Sequence, residues 1–216
     1  MKKSLKEMVG AALASTALVA SMGLVACGQN SSSTSTASTT TEEASSAAET
    51  SEAAAPGEAA GFTEIPIFED QEVDFLNVSA VYFQAVPMAP AQEDVGKANI
   101  HLEADVSALK NDLGYEVGTW VPYMTVDYIV TDKSGKEVVS GTFMEMNASD
   151  GTHYGANVTM PEAGDYKLKF VFHSPADNGY LIHLGETGPG GTLEEHFKNG
   201  TLETKEMDWT YVPVEA

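Results

Sequence analysis

Arginine is absent from this 216-residue chain, cysteine occurs once, and 11 lysines face 32 Asp and Glu, for a formal net charge of -21. Each shortage excludes something. Without a Lys/Arg patch there is no footprint for nucleic acid, whose phosphates need neutralising. The same deficit argues against electrostatic adhesion to anionic lipid. A single cysteine forbids an intramolecular disulfide and a four-cysteine zinc site. Gly-x-Ser-x-Gly and His-Glu-x-x-His are both missing, which argues against two common hydrolase designs. Long 3.6-residue periodicity is missing too; one helical turn is expected at most, over Ser107 to Leu113. What remains suits a soluble acidic protein, or one that handles cations.

The lone cysteine sits in a particular place. Lys2, Lys3 and Lys6 precede an uncharged, apolar-to-small stretch, Val9 to Ala26, ending Leu24-Val25-Ala26-Cys27. Residues 1–26 read as a secretory signal peptide. Cys27 after Leu-Val-Ala resembles the lipobox of bacterial lipoproteins, in which the thiol is diacylated and the chain is cut before it. Acyl chains on Cys27 would then hold the protein to a membrane, outside the cytoplasm. An uncleaved transmembrane helix is the competing reading. The stretch is short for a bilayer and rich in Ala, Ser and Gly. Residues 27–60 are Ser, Thr, Ala and Glu, which cannot bury enough surface to offset ordering entropy. They read as a flexible tether, with their glutamates there for solubility.

From Gly61 the composition changes. Residues 61–216 hold 8 Lys and 26 acidic residues, so the acidity belongs to the folded part. Short runs rich in Val, Tyr, Phe and Thr alternate with turn signals. Val73 to Val86, Asn99 to Val106, Trp120 to Thr131, Glu137 to Met146, Ala156 to Met160, Asp165 to His173 and Thr201 to Val214 are expected to be strands. Asp132 to Lys136 is a hairpin-type connection. Seven or so strands at this spacing predict an all-β fold, an antiparallel β-sandwich. Trp120 on a central strand is compatible with an immunoglobulin-like core.

The five histidines, His101, His153, His173, His183 and His196, all lie in the folded part. His101 and Glu103 are two apart on a strand, so they share a face while Leu102 points the other way. That offers one imidazole nitrogen and one carboxylate to a metal. Met144 and Met146 likewise share a face. By spacing alone, bland readings stand beside this one. A carboxylate row is usually a solvent face, a Met pair is usually core packing, and His183 could be a hydrogen-bonded core histidine.

Longer words narrow the choice. His101-Leu102-Glu103-Ala104-Asp105, Trp120-Val121-Pro122-Tyr123, Gly141-Thr142-Phe143-Met144-Glu145-Met146 and Ala148-Ser149-Asp150-Gly151-Thr152-His153-Tyr154-Gly155-Ala156-Asn157 occur in order. This resembles the bacterial periplasmic iron-transport protein family, over about Val78 to Gly188. The resemblance implies a cupredoxin-like, immunoglobulin-like β-sandwich that forms a homodimer. It implies a copper- and iron-binding site near the dimer interface, with His101, Glu103, Met146, His153 and His183 as the matching metal ligands. Around His183 the chain departs from the family, whose members often carry extra histidines there; Ile182-His183-Leu184-Gly185 has one. Met88 falls in a family-like stretch and is given no role. His173 and His196 match nothing and read as ordinary strand or surface residues.

Imidazole and thioether favour copper, and carboxylate favours iron or manganese; zinc also fits such a set. Without cysteine in the domain, a blue-copper centre is excluded, since its strong ligand is thiolate. The expectation is a lipid-anchored metal-binding protein on the periplasmic face or cell surface, not an enzyme. Its implied partner is a high-affinity iron permease. A surface lipoprotein that binds a host or partner protein, and a ferroxidase accessory, are the rival readings.

Overall fold

The computed structural model describes residues 63–90 and 95–214; the signal peptide, Cys27 and the tether lie outside them. In chain order the strands are β1 (Ile65–Val73), β2 (Leu76–Phe83), β3 (Ile100–Ala108), β4 (Val126–Asp132), β5 (Glu137–Thr142), β6 (Met144–Asn147), β7 (Thr152–Val158), β8 (Gly164–Phe172), β9 (Leu202–Glu203) and β10 (Met207–Tyr211). One sheet has the order β1-β2-β3-β7-β6. The other runs β10-β8-β4-β5, with β9 also on β8. Every pairing is antiparallel. The all-β sandwich expected from the sequence is the fold observed.

The core follows from period-two alternation. Val78, Ala80 and Tyr82 of β2, Leu102, Ala104 and Val106 of β3, and Tyr154, Ala156 and Val158 of β7 are buried. Leu168, Phe170 and Phe172 of β8 and Val126, Tyr128 and Val130 of β4 are buried in the other sheet. Phe68 of β1 and Phe170 bring their rings to 5.7 Å across the sandwich.

Local readings change in four places. Glu137 to Met146 is not one strand. It divides at Phe143, with β5 in one sheet and β6 in the other. Phe143 is the buried corner, its ring 4.8 Å from Tyr128 and 5.4 Å from Phe170. Trp120 is not on a central strand; it makes an isolated bridge to Ser107 and lays its ring 4.5 Å from Tyr154. Ser107 and Ala108 finish β3 rather than opening a helical turn, and the described α-helix is the four-residue Leu193–His196. β1 is a strand that the sequence reading did not include.

His196 is more than a surface residue. Its Nδ1 meets Asp74, in the turn between β1 and β2, and its Nε2 lies 2.9 Å from Asp112, beyond β3. With a carboxylate at each nitrogen, both nitrogens donate and the ring is an imidazolium. Burial pushes its pKa down, but the hydrogen bonds to Asp112 and Asp74 more than offset this, and the net shift is upward. A raised folded-state pKa contributes stability that is fully present below the unfolded value of about 6.5 and is lost as pH rises through the folded value. The thermal midpoint should therefore fall as pH rises above about 6.5, and the wild-type-minus-His196→Gln difference should shrink over the same window. A difference that is flat with pH would overturn the imidazolium clamp.

Candidate metal centre

β3 turns Leu102 and Ala104 into the core and His101, Glu103 and Asp105 to the outer face of its sheet. A solvent face would leave these side chains wet, yet His101 is 1% and Glu103 3% exposed. Neighbouring strands and the segment after β2 wall these two in, while Asp105, further along the strand, is exposed. Glu103 stands opposite Gly155 on β7, and His101 opposite Asn157. The β6–β7 hairpin then sets Met146 opposite His153, and Met144 opposite Gly155. Thus the seven-residue separation of Met146 and His153 becomes direct cross-strand adjacency, closed by the Ala148–Gly151 turn.

Among the described residues, one group of His, Cys, Asp and Glu side chains brings its ligand atoms within 4.8 Å of one another: His101, Glu103 and His153, all buried. Nε2 of His153 lies 3.1 Å, and Nε2 of His101 3.4 Å, from Glu103 Oε1. The imidazole rings are 5.9 Å apart and inclined by 73°, and both Nε2 atoms converge on the one carboxylate oxygen. They open on a cleft of about 740 Å³ that Met146 also lines.

Asn157 sets the tautomer of His101. Its Nδ2 donates to Val86 O at 2.8 Å, and its Oδ1 accepts from Val86 N–H at 3.2 Å. The same Oδ1 lies 2.9 Å from His101 Nδ1. Nδ1 must therefore carry the proton, which leaves the Nε2 lone pair facing the cleft. A metal-binding histidine is typically oriented in this way. Replacing Asn157 with Leu should weaken metal binding by about 10-fold, measured by calorimetry. Unchanged affinity would remove the orienting role.

The donor set fits a metal ion. His153 Nε2 is buried without a hydrogen-bond partner; its approach to Glu103 is close but not aligned as a hydrogen bond. Such a buried group calls for a ligand. Burial holds the His153 pKa below the ordinary imidazole value, Glu103 acting against the shift and His101 adding to it. The neutral, coordinating form is therefore favoured. Gly155 leaves the space: a Cβ there would sit 2.8 Å from His101 Nε2 and 3.2 Å from His153 Cδ2. Near Glu103 the field is negative. Burial, then the charges of Glu103, Asp150 and Asp105, push half-buried Glu64 up to about 7, and such a field favours cations.

The model of the family described as "Fe2+ transport protein" matches residues 61–212. The chain belongs to that family. The match is wider than the Val78–Gly188 stretch that carries the resemblance in sequence, and takes in β1, β9 and β10. A copper-bound variant of FetP from uropathogenic Escherichia coli is 33% identical, with a TM-score of 0.63, over 72% of this chain and 96% of that one. The copper-reconstituted P19 protein from Campylobacter jejuni is 32% identical, with a TM-score of 0.63, over 71% of this chain and 99% of that one. The 34 kDa membrane antigen of Treponema pallidum is 44% identical over 140 residues, 62% of this chain and 69% of that protein.

Of the five metal ligands expected for this iron-transport family member, the fold brings four to one cleft: His101, Glu103, His153 and Met146. His183 is not with them. It is exposed, in a loop after β8 between Leu181 and Leu184, which are 86% and 71% exposed. His173 is also elsewhere, with Nε2 2.9 Å from Asp127. Sequence reasoning missed Asn157 and Gly155. The one available signal was period two: both share the outer face with His153.

Proposed function

We propose that this protein captures a divalent metal ion outside the cytoplasm, iron as cargo with copper also bound, and hands it to a high-affinity iron permease. One observation carries the reading: the buried, converging nitrogens and carboxylate of His101, His153 and Glu103, with His153 Nε2 unpaired. Membership of the Fe2+ transport family and the copper-bound relatives support the choice of metals. By intrinsic affinity Cu(II) binds such a site more tightly than Fe(II), so iron loading depends on which metal is available. The Lys-rich start, the apolar stretch and Cys27 support export and lipid anchoring. The recombinant expression of a FetP relative in the periplasm is consistent with that compartment. No helix of the described residues is long and apolar enough to cross a membrane.

The protein acts as a carrier rather than an enzyme in this reading, and as a homodimer. Exposed Leu181 and Leu184 flank His183 and supply apolar surface for a second copy. Docking that loop on the partner's cleft would add His183 as a further ligand.

Calorimetric titration of the purified chain with Cu(II), Fe(II), Mn(II) and Zn(II) tests the function. The expected result is tight binding that weakens as pH falls, because protons compete for the ligands. The fall should begin below the usual imidazole value of about 6.5, since His153 is shifted down. No binding of any of the four ions, or binding flat from about pH 8 to 5, would overturn the assignment.

A further inference from the structure

Beside Met146, the cleft holds two thioethers that the expected ligand set does not include, Met88 and Met144. Met88, Met144 and Met146 all line it, and all three are half-buried. The other described methionines serve the core: Met124 and Met160 are 5% and 1% exposed within it, and Met207, half-buried, packs against it. The cleft methionines come from two separate segments. Met144 and Met146 share one face of β6, about 7 Å apart along the strand. Met88 lies on the segment that follows β2, two residues after Val86.

Two features aim this trio at the metal centre. Met144 stands opposite Gly155, and Gly155 stands opposite Glu103, so the three form one cross-strand row. Gly155 puts no side chain of its own between Met144 and Glu103, and the His101 and His153 rings lie over that gap. Met88 is tied to the centre through its segment, because Asn157 holds both the N–H and the C=O of Val86 while also facing His101 Nδ1. A shift of the segment that moves Met88 would thus also disturb His101.

Thioethers are uncharged and weakly hydrogen-bonding. They give little to a hard ion such as Mg(II) or Mn(II) and are selective for soft Cu(I). We infer that Met88 and Met144, together with Met146, form a second, softer donor set that binds Cu(I) in the same cleft, beside the imidazole–carboxylate set that takes divalent ions. The inference rests on the cleft being a metal site. It adds that copper is held in either oxidation state, by overlapping but different donors.

The test measures Cu(I) affinity of the purified chain without oxygen, with ascorbate as reductant and bicinchoninate as competing chelator, and Cu(II) affinity separately by calorimetry. In the Met88→Leu/Met144→Leu double variant, Cu(I) affinity should fall by about 10-fold or more and Cu(II) affinity by less, so their ratio falls. Sulfur scattering at the copper absorption edge of the Cu(I) form should diminish in parallel. Leucine keeps the volume nearly constant. Should the double variant fail to fold, Met88→Leu alone, outside the sheets, must lower the same ratio. An unchanged ratio, or wild-type protein that binds Cu(II) but not Cu(I), overturns the thioether set alone. Wild-type protein that binds neither ion overturns the proposed function as well.

Discussion

Gly155→Ala should lower metal affinity by about 100-fold while leaving the sandwich folded. Gly155 lies within β7 with an ordinary strand backbone, so alanine meets no conformational barrier there. Alanine is even favoured over glycine in a strand, because it loses less backbone freedom on folding. The difficulty is entirely above the sheet. The new Cβ would sit 2.8 Å from His101 Nε2, 3.3 Å from His101 Cε1 and 3.2 Å from His153 Cδ2. One of these contacts is the donor atom itself. His101 cannot swing away freely, since Asn157 holds its Nδ1 at 2.9 Å and the Phe83 ring lies 5.3 Å from its own. The ring that yields loses its aim at the shared point beside Glu103. Calorimetric titration reads the affinity, and a thermal melt reads the fold. A melt like that of wild type with weakened binding is the expected pair. Unchanged affinity would mean that the metal is not held between these rings.

How much of this centre was legible in the sequence depends on the distance over which each contact is set. His101 and Glu103 share a face through period two alone, so the strand reading places them together. Pairing Met146 with His153 needs only the Ala148–Gly151 turn between β6 and β7. Asn157 is different. Its role comes from Val86, 71 positions away, and no local pattern announces that the segment after β2 folds back over β3. His196 was opaque for the same reason, its carboxylates lying 122 and 84 positions away.

Errors in the strands have their own causes. β1 carries Pro66, and its pairing with β2 slips twice, between Pro66 and Phe68 and between Phe68 and Gln71. Proline and broken alternation are marks of an edge strand, and they hide it from pattern reading. The run from Glu137 to Met146 shows the reverse problem. Its one turn-like pair, Ser140-Gly141, falls inside β5, and the chain changes sheets beyond it, around one buried aromatic, Phe143, without turning back. Which sheet each half joins is decided by partners in β4 and β7. His183 stands apart again, since its environment in one copy is solvent.

Tyr154→Phe should destabilise the domain by about 3 kcal/mol, lowering the thermal midpoint by about 10 °C, with a smaller effect on metal affinity than Gly155→Ala. Tyr154 follows His153 on β7 and points inward, fully buried. Its hydroxyl donates to Val121 O at 2.9 Å and accepts from Met124 N–H at 3.0 Å. Burial pushes the phenol pKa upward, so it stays a donor at any working pH. Val121 and Met124 are 0% and 5% exposed, so removing one oxygen strands a buried carbonyl and a buried amide together. Each such group costs about 1–3 kcal/mol. The phenylalanine ring keeps the packing against Trp120, so the loss isolates the two hydrogen bonds. Metal binding should be less affected because His153 is positioned by the β6–β7 register and not by the loop from Trp120 to Met124. If melting is unchanged, the hydroxyl is not what pins that loop. If affinity falls as steeply as stability, the loop and the metal centre are coupled through β7, and the adjacency of Tyr154 to His153 in the chain would be the route.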